Sequence, residues 1–126
     1  MTSNMKTLLT VLFGVALSIG GASTVGCSAA KDQYLCRARQ GEAQANLKAL
    51  HASQKTYFES KQTYASTIAD LGFTPSGNRY YDLKIDSATA KGYTATATGK
   101  NDSAGDEWTI DEAGTPVVKT DKCHAK

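Results

Sequence analysis

The chain has 126 residues, 40% of them apolar and 21% charged, with 11 Gly and 2 Pro. That composition fits one globular domain and excludes a collagen-like repeat, a wholly disordered chain and a multidomain machine. The formal charge is only +2, and no basic cluster exceeds the pair Arg37 and Arg39, so nucleic acid is not an expected partner.

The N-terminus reads as a targeting segment. Met1 to Lys6 carries the basic charge, Thr7 to Ile19 is apolar, and Gly20 to Gly26 is a run of small residues ending at Cys27. This order of basic, apolar and small is the layout of a secretory signal peptide, expected over residues 1–26. The apolar run is short for a membrane span, which needs roughly 20 residues. The folding unit expected from it is 27–126, about 100 residues, enough for a single modest core.

Ser23-Thr24-Val25-Gly26-Cys27 resembles a bacterial lipobox, in which a small residue precedes a cysteine that is acylated before cleavage. Thr24 stands where that pattern usually has Leu. The resemblance implies lipidation at Cys27, and Ser28 after it implies sorting to the outer membrane. Two other readings stay open: ordinary cleavage after Ser28-Ala29-Ala30, which releases a chain starting at Lys31, and an uncleaved anchor.

There are three cysteines. If Cys27 carries lipid, Cys36 and Cys123 are left as an even pair, which an oxidising compartment would let bond. The loop so closed has about 88 residues, and the chain-entropy model gives it about 4 kcal/mol. The alternative is two buried free thiols. Metal ligation has little support, because His51 is isolated, Cys123 and His124 are adjacent, and no C-x-x-C or H-x-x-x-H spacing occurs.

Lys31 to Lys61 favours helix, rich in Ala, Gln, Glu, Leu, Lys and Arg and free of Pro. Cys36, Ala43, Leu47, Leu50, Tyr57 and Phe58, with Gln40 and Gln54 in the gaps, form one stripe. Arg39, Glu42, Asn46, Lys48, Lys55 and Glu59 are expected on the solvated face. Gly41 is a soft spot where the helix can bend. Ser60 to Asn78 is a long connection, anchored by Ile68, Leu71 and Phe73, with a short helical turn around Thr67 to Leu71.

Beyond Arg79 the period becomes two. Tyr81, Leu83 and Ile85, then Tyr93, Ala95 and Ala97, then Trp108 and Ile110 alternate with polar residues, which predicts three half-buried strands. Short turns between them predict antiparallel pairing. A fourth strand, Pro116 to Lys119, would lie at the edge. The small Ala95 and Ala97 mark where the helix comes closest to the sheet. The fold class is therefore α+β, one long N-terminal α-helix packed on a three- to four-stranded antiparallel sheet.

At this point the residues resemble a family. Arg39 to Ala43, Asn46 to Leu50, Gln54-Lys55 and Tyr57-Phe58 are similar to the second half of the long helix of type IV pilins. Ala69 to Pro75, Arg79-Tyr80, Gly92 to Ala97 and Asp106 to Asp111 resemble the loop and sheet of the same family. The resemblance covers Tyr34 to Cys123 and implies a helix on a four-stranded sheet with a C-terminal disulfide. It departs at the N-terminus: no Glu precedes Glu42 and no Gly-Phe junction is present, whereas the family carries a Glu near the start of a Phe-rich helix.

The function expected is a non-enzymatic envelope protein with a pilin-like head, tethered by lipid at Cys27, structural or interacting with pilus or type II secretion components. A true minor pilin or pseudopilin that joins a filament is the alternative. The expected location is the outer membrane or extracellular surface of a Gram-negative bacterium. No nucleophile elbow, metal spacing or phosphate loop supports an enzyme, and no cofactor or small-molecule substrate is expected. Asn101 to Glu107 concentrates side-chain oxygens but lacks the EF-hand ligand order, and it reads as a solvated hairpin loop. Tyr34, Tyr57, Phe58 and Tyr64 read as packing aromatics and not as an electron path.

Overall fold

The computed structural model describes residues 24–124, with side chains from residue 30 onward. The expected signal peptide therefore lies outside the described residues up to residue 23. The chain divides into two compact units, Met1–Asp32 and Gln33–Lys126. The described part of the first is the beginning of a helix, α1, which spans Thr24–Lys61.

Helix α1 starts earlier than the Lys31 expected. Between Thr24 and Lys31 the weakest helix former is Gly26, at about 1 kcal/mol relative to Ala, and Ala29, Ala30 and Lys31 favour helix after it. Cys27 thus falls within α1. Gly41 does not interrupt the helix, which runs through it. At the far end Gln62 takes a left-handed φ of 57°, and its amide closes back on the Phe58 carbonyl at 2.8 Å. That is a left-handed helix cap made without glycine. Among the described residues no helix is long and apolar enough to cross a membrane.

The sheet is a four-stranded antiparallel meander of β1 (Tyr81–Ala88), β2 (Tyr93–Gly99), β3 (Glu107–Asp111) and β4 (Val117–Thr120), in that spatial order. Ile85 pairs with Ala95 and Ala95 with Ile110; Leu83 pairs with Ala97 and Ala97 with Trp108. The alternating apolar positions thus share one face. A register shift between Ile85 and Ser87 resets the alternation, so that Ala88 and not Ser87 turns inward opposite Tyr93. β4 is exposed along its whole length and follows directly on Pro116, as an edge strand does.

Helix and sheet meet where Ala43, Leu47 and Leu50 of α1 cluster with Tyr81, Ile85, Tyr93, Ala95, Ala97 and Ile110. Ala95 and Ala97 are fully buried, consistent with close approach of the helix at those positions. The connection between Lys61 and Tyr81 forms a 3-10 turn at Ala69–Leu71 and adds Tyr64, Ile68, Leu71 and Phe73 to the core rim. Phe58 stacks on Tyr64 at 4.7 Å between centroids, and Tyr64 meets Tyr93 at 5.1 Å, so these aromatics are packing groups. Tyr34 stands apart from them, exposed.

The turn after β2 depends on one glycine. A Cβ at Gly99 would lie 1.9 Å from the Ser103 carbonyl oxygen, while the Gly99 amide donates to the Asp106 carbonyl at 2.8 Å. No side chain fits that approach. Gly41 is the opposite case, because a Cβ there meets nothing within 4 Å. Urea unfolding should therefore separate the two: Gly99→Ala loses about 3 kcal/mol or more by forced displacement of the turn. Gly41→Ala gains about 0.5–1 kcal/mol from helix propensity.

Candidate functional site

Asp106 is 2% exposed and sits just before β3, with the same parity as Trp108 and Ile110. Its carboxylate faces four donors. Oδ1 accepts from Gln40 Nε2 at 3.2 Å and from the Lys122 amide at 3.1 Å. Oδ2 accepts from the Tyr81 hydroxyl and from Trp108 Nε1 at 3.1 Å. A carboxylate has only acceptor sites, so four donors from α1, β1, β3 and the C-terminal segment suit it and suit no neutral residue equally. The hairpin loop expected to be solvated thus contains a buried acid; Ser103 is buried with it.

The tail is fastened around this point. Cys36 and Cys123 form a disulfide with Cα atoms 5.7 Å apart. Asp121 Oδ1 accepts from Gln40 Nε2 at 2.9 Å and from the Cys123 amide at 2.9 Å, and its other oxygen meets His124 Nδ1. Arg37 Nη2 reaches His124 Nε2 at 3.0 Å, which makes Nε2 the acceptor and places the proton on Nδ1, toward Asp121. One amide nitrogen, on Gln40, therefore bridges two carboxylates, Asp106 and Asp121. Burial opposes ionisation of Asp121, but hydrogen bonds from His124, Gln40 and Cys123 outweigh it and hold its carboxyl below the usual range.

Further along α1, polar side chains fasten the long connection. Asn46 exchanges two hydrogen bonds with the backbone of Ser76, at 2.9 and 3.0 Å. Gln54 does the same with Ala65, at 2.9 and 2.8 Å. Glu42 Oε1 accepts from the amides of Arg79, Tyr80 and Tyr81 at 3.0–3.3 Å. Arg39 bridges to Asp102 at 3.2 Å and lies over the Tyr80 ring. Three residues assigned to the solvated face are thus engaged: Asn46 is buried, and Glu42 and Arg39 are half-buried. Among the described residues every buried side-chain nitrogen and oxygen has a partner.

At the other end of the helix His51 Nδ1 pairs with the Tyr93 hydroxyl at 2.7 Å. Gly114, at φ 80°, leaves room for the ring, since a Cβ there would come 2.5 Å from Nε2. Burial, and next the Lys55 charge, push the His51 imidazole below its usual 6.5, against a smaller opposing pull from Asp111. Burial, reinforced by the bond to Asp106, pushes the Tyr81 hydroxyl far above the usual tyrosine range, so it remains a donor.

Of the expected site residues, Cys36 and Cys123 are brought together, and Cys27 lies in α1 seven positions before Tyr34. Asp106, Asp121, Glu42 and Asn46 were missed as fastening residues. Asp106 had a legible signal, its inward parity with Trp108 and Ile110. Asn46 had another, its spacing of three from Ala43. Among the described residues no group of three or more His, Cys, Asp or Glu could hold a metal ion.

Known proteins share these features in part. The family model for type IV pilin PilA matches residues 34–108. A type IV major pilin protein PilA of Myxococcus xanthus (strain DK1622) is 43% identical over 49 residues, 38% of this chain and 22% of that relative's length. The chain thus aligns with about a fifth of that curated relative. A crystal structure of the non-core minor pilin PilV of Neisseria meningitidis superposes with a TM-score of 0.59 at 17% identity, over 71% of this chain and 92% of that one. That likeness is one of fold. The family match ends at Trp108, before the Asp121–His124 fastening.

The carboxylate and the imidazole each give a measurable outcome. Asp106→Asn puts an NH2 group among donors and should cost about 2–3 kcal/mol in urea unfolding, while Asp106→Glu, too long for the space, should not restore stability. His51, depressed in the folded state, contributes stability that is full above pH 6.5 and is lost as pH falls toward its lower folded value. The urea midpoint of the wild type should therefore drop between pH 7 and pH 5 by more than that of His51→Gln.

Proposed function

The chain belongs to the type IV pilin PilA family, and from that premise we propose that it is a non-enzymatic envelope protein whose pilin-like head is held at a membrane by lipid on Cys27. The head would serve as a structural or interaction component of a type IV pilus system. The observation that carries the anchor is the Cys36–Cys123 disulfide. It accounts for two of three cysteines and leaves Cys27, next to Gly26 at the end of an apolar run, for another chemistry. An exported, oxidising location is consistent with that disulfide.

The head itself is suited to binding and not to turnover. Its polar side chains spend their hydrogen bonds on backbone and on one another, and the tail is fastened by a covalent and a polar link together. A rigid surface presented on a tether is what such construction supplies. Family membership also favours a second reading, a minor pilin that enters a filament through its N-terminal segment.

Intact mass spectrometry of the protein purified from envelopes separates the two. The proposal expects a chain beginning at Cys27, heavier by its acyl groups and lighter by two hydrogens for the disulfide, with Cys27→Ser abolishing both acylation and membrane fractionation. A methylated N-terminal residue within the apolar run would support the filament reading. A chain beginning at Lys31 would contradict both.

A further inference from the structure

The first turns of the head carry an unusual surface. Tyr34 is 73% exposed and Leu35 37%, the only two large apolar side chains of α1 so exposed among the described residues. Beside Leu35 a shallow groove is floored by Ala38 and Tyr80. Two guanidinium groups lie over the Tyr80 ring, Arg39 at 5.1 Å and Arg79 at 5.6 Å. Arg37 is exposed as well. Of the nearby acids, Glu42 is held by three backbone amides and Asp102 is paired with Arg39, while Arg37 and Arg79 have no carboxylate partner among the described residues. The result is an apolar and aromatic patch edged by arginines, with a positive balance.

We propose that this patch, formed by Tyr34, Leu35, Tyr80, Arg37, Arg39 and Arg79, is a membrane-contacting face that rests on an anionic lipid surface. The inference rests on the proposed lipid anchor at Cys27. Seven residues separate Cys27 from Tyr34, and even fully extended they reach no farther than about 25 Å. An anchor at Cys27 therefore keeps the patch within a short distance of the headgroups whatever path the tether takes. Tyrosine and arginine suit that zone, since each buries an apolar body at the headgroup level and leaves a polar tip in water. The arginines answer the negative potential of an anionic leaflet, worth about 1 kcal/mol for each one near the surface.

The experiment uses the processed protein purified from envelopes and reconstituted into phosphatidylcholine vesicles with or without phosphatidylglycerol. Tyr34→Trp places an indole in the patch, Thr56→Trp places one on an exposed position near the other end of α1, and Trp108 provides a common background. With brominated acyl chains, the emission added by Tyr34→Trp should be lost, more completely when phosphatidylglycerol is present, while that added by Thr56→Trp is unchanged. Emission at position 34 that is insensitive to bromine, or equally quenched at position 56, overturns the inference. Loss that is the same with and without phosphatidylglycerol overturns its anionic part. The same sample's intact mass reports on the anchor: acylated protein whose Tyr34→Trp indole stays unquenched contradicts the membrane face alone, and protein without acyl groups contradicts the anchor and the face together.

Discussion

The fold hangs on a buried carboxylate. Asp106 accepts hydrogen bonds from Gln40 of α1, Tyr81 of β1, Trp108 of β3 and the amide of Lys122 in the tail. A buried charge is costly unless its lone pairs are filled, and here four donors fill them. The consequence is that helix, sheet and tail are not independently placed. Displacing any one leaves a charged acceptor short of a partner, which typically costs more than the bond itself contributes. Tyr81 and Gln40 are as deeply buried as the aliphatic core beside them, so the polar centre and the hydrophobic core form one packed body.

Helix α1 works on the same principle along its length. Gln40, Glu42, Asn46 and Gln54 each reach a segment far away in sequence: the tail, the start of β1, Ser76 and Ala65. Asn46 and Gln54 satisfy both the N–H and the C=O of one residue, as a neighbouring strand would. This explains how a connection between Lys61 and Tyr81 with a single 3-10 turn stays ordered. The Cys36–Cys123 disulfide then acts where Gln40 already bridges Asp106 and Asp121, so covalent and polar fastening reinforce one site.

Much of this architecture was legible in the residues. Alternation in Tyr81 to Ile85 and Tyr93 to Ala97 marks the buried face of the sheet, and two inward alanines mark the helix crossing. Arithmetic left Cys36 and Cys123 as an even pair once Cys27 was set aside, with two free thiols as the alternative, and the structure joins them. The helix start was missed because small residues such as Ser28 and Ala29 read equally well as a cleavage region and as helix. Asn46 and Glu42 were misplaced for a different reason: their partners are backbone groups 30–39 residues away. Backbone donors and acceptors are the same at every position, so composition carries no sign of them. Only parity and spacing do, and for Asp106 the parity was overshadowed by the oxygen-rich loop around it.

The pilin-type head has its tail locked to its helix by the Cys36–Cys123 disulfide and by Gln40, which bridges Asp106 and Asp121. The claim that Asp106 unites helix, sheet and tail into one cooperative body is tested most directly by native-state hydrogen exchange. The Lys122 amide, bonded to the Asp106 carboxylate, should open with the same free energy as the Gly99 amide, bonded to the Asp106 carbonyl. Exchange of Lys122 at the rate of a free tail, with Gly99 fully protected, would contradict it.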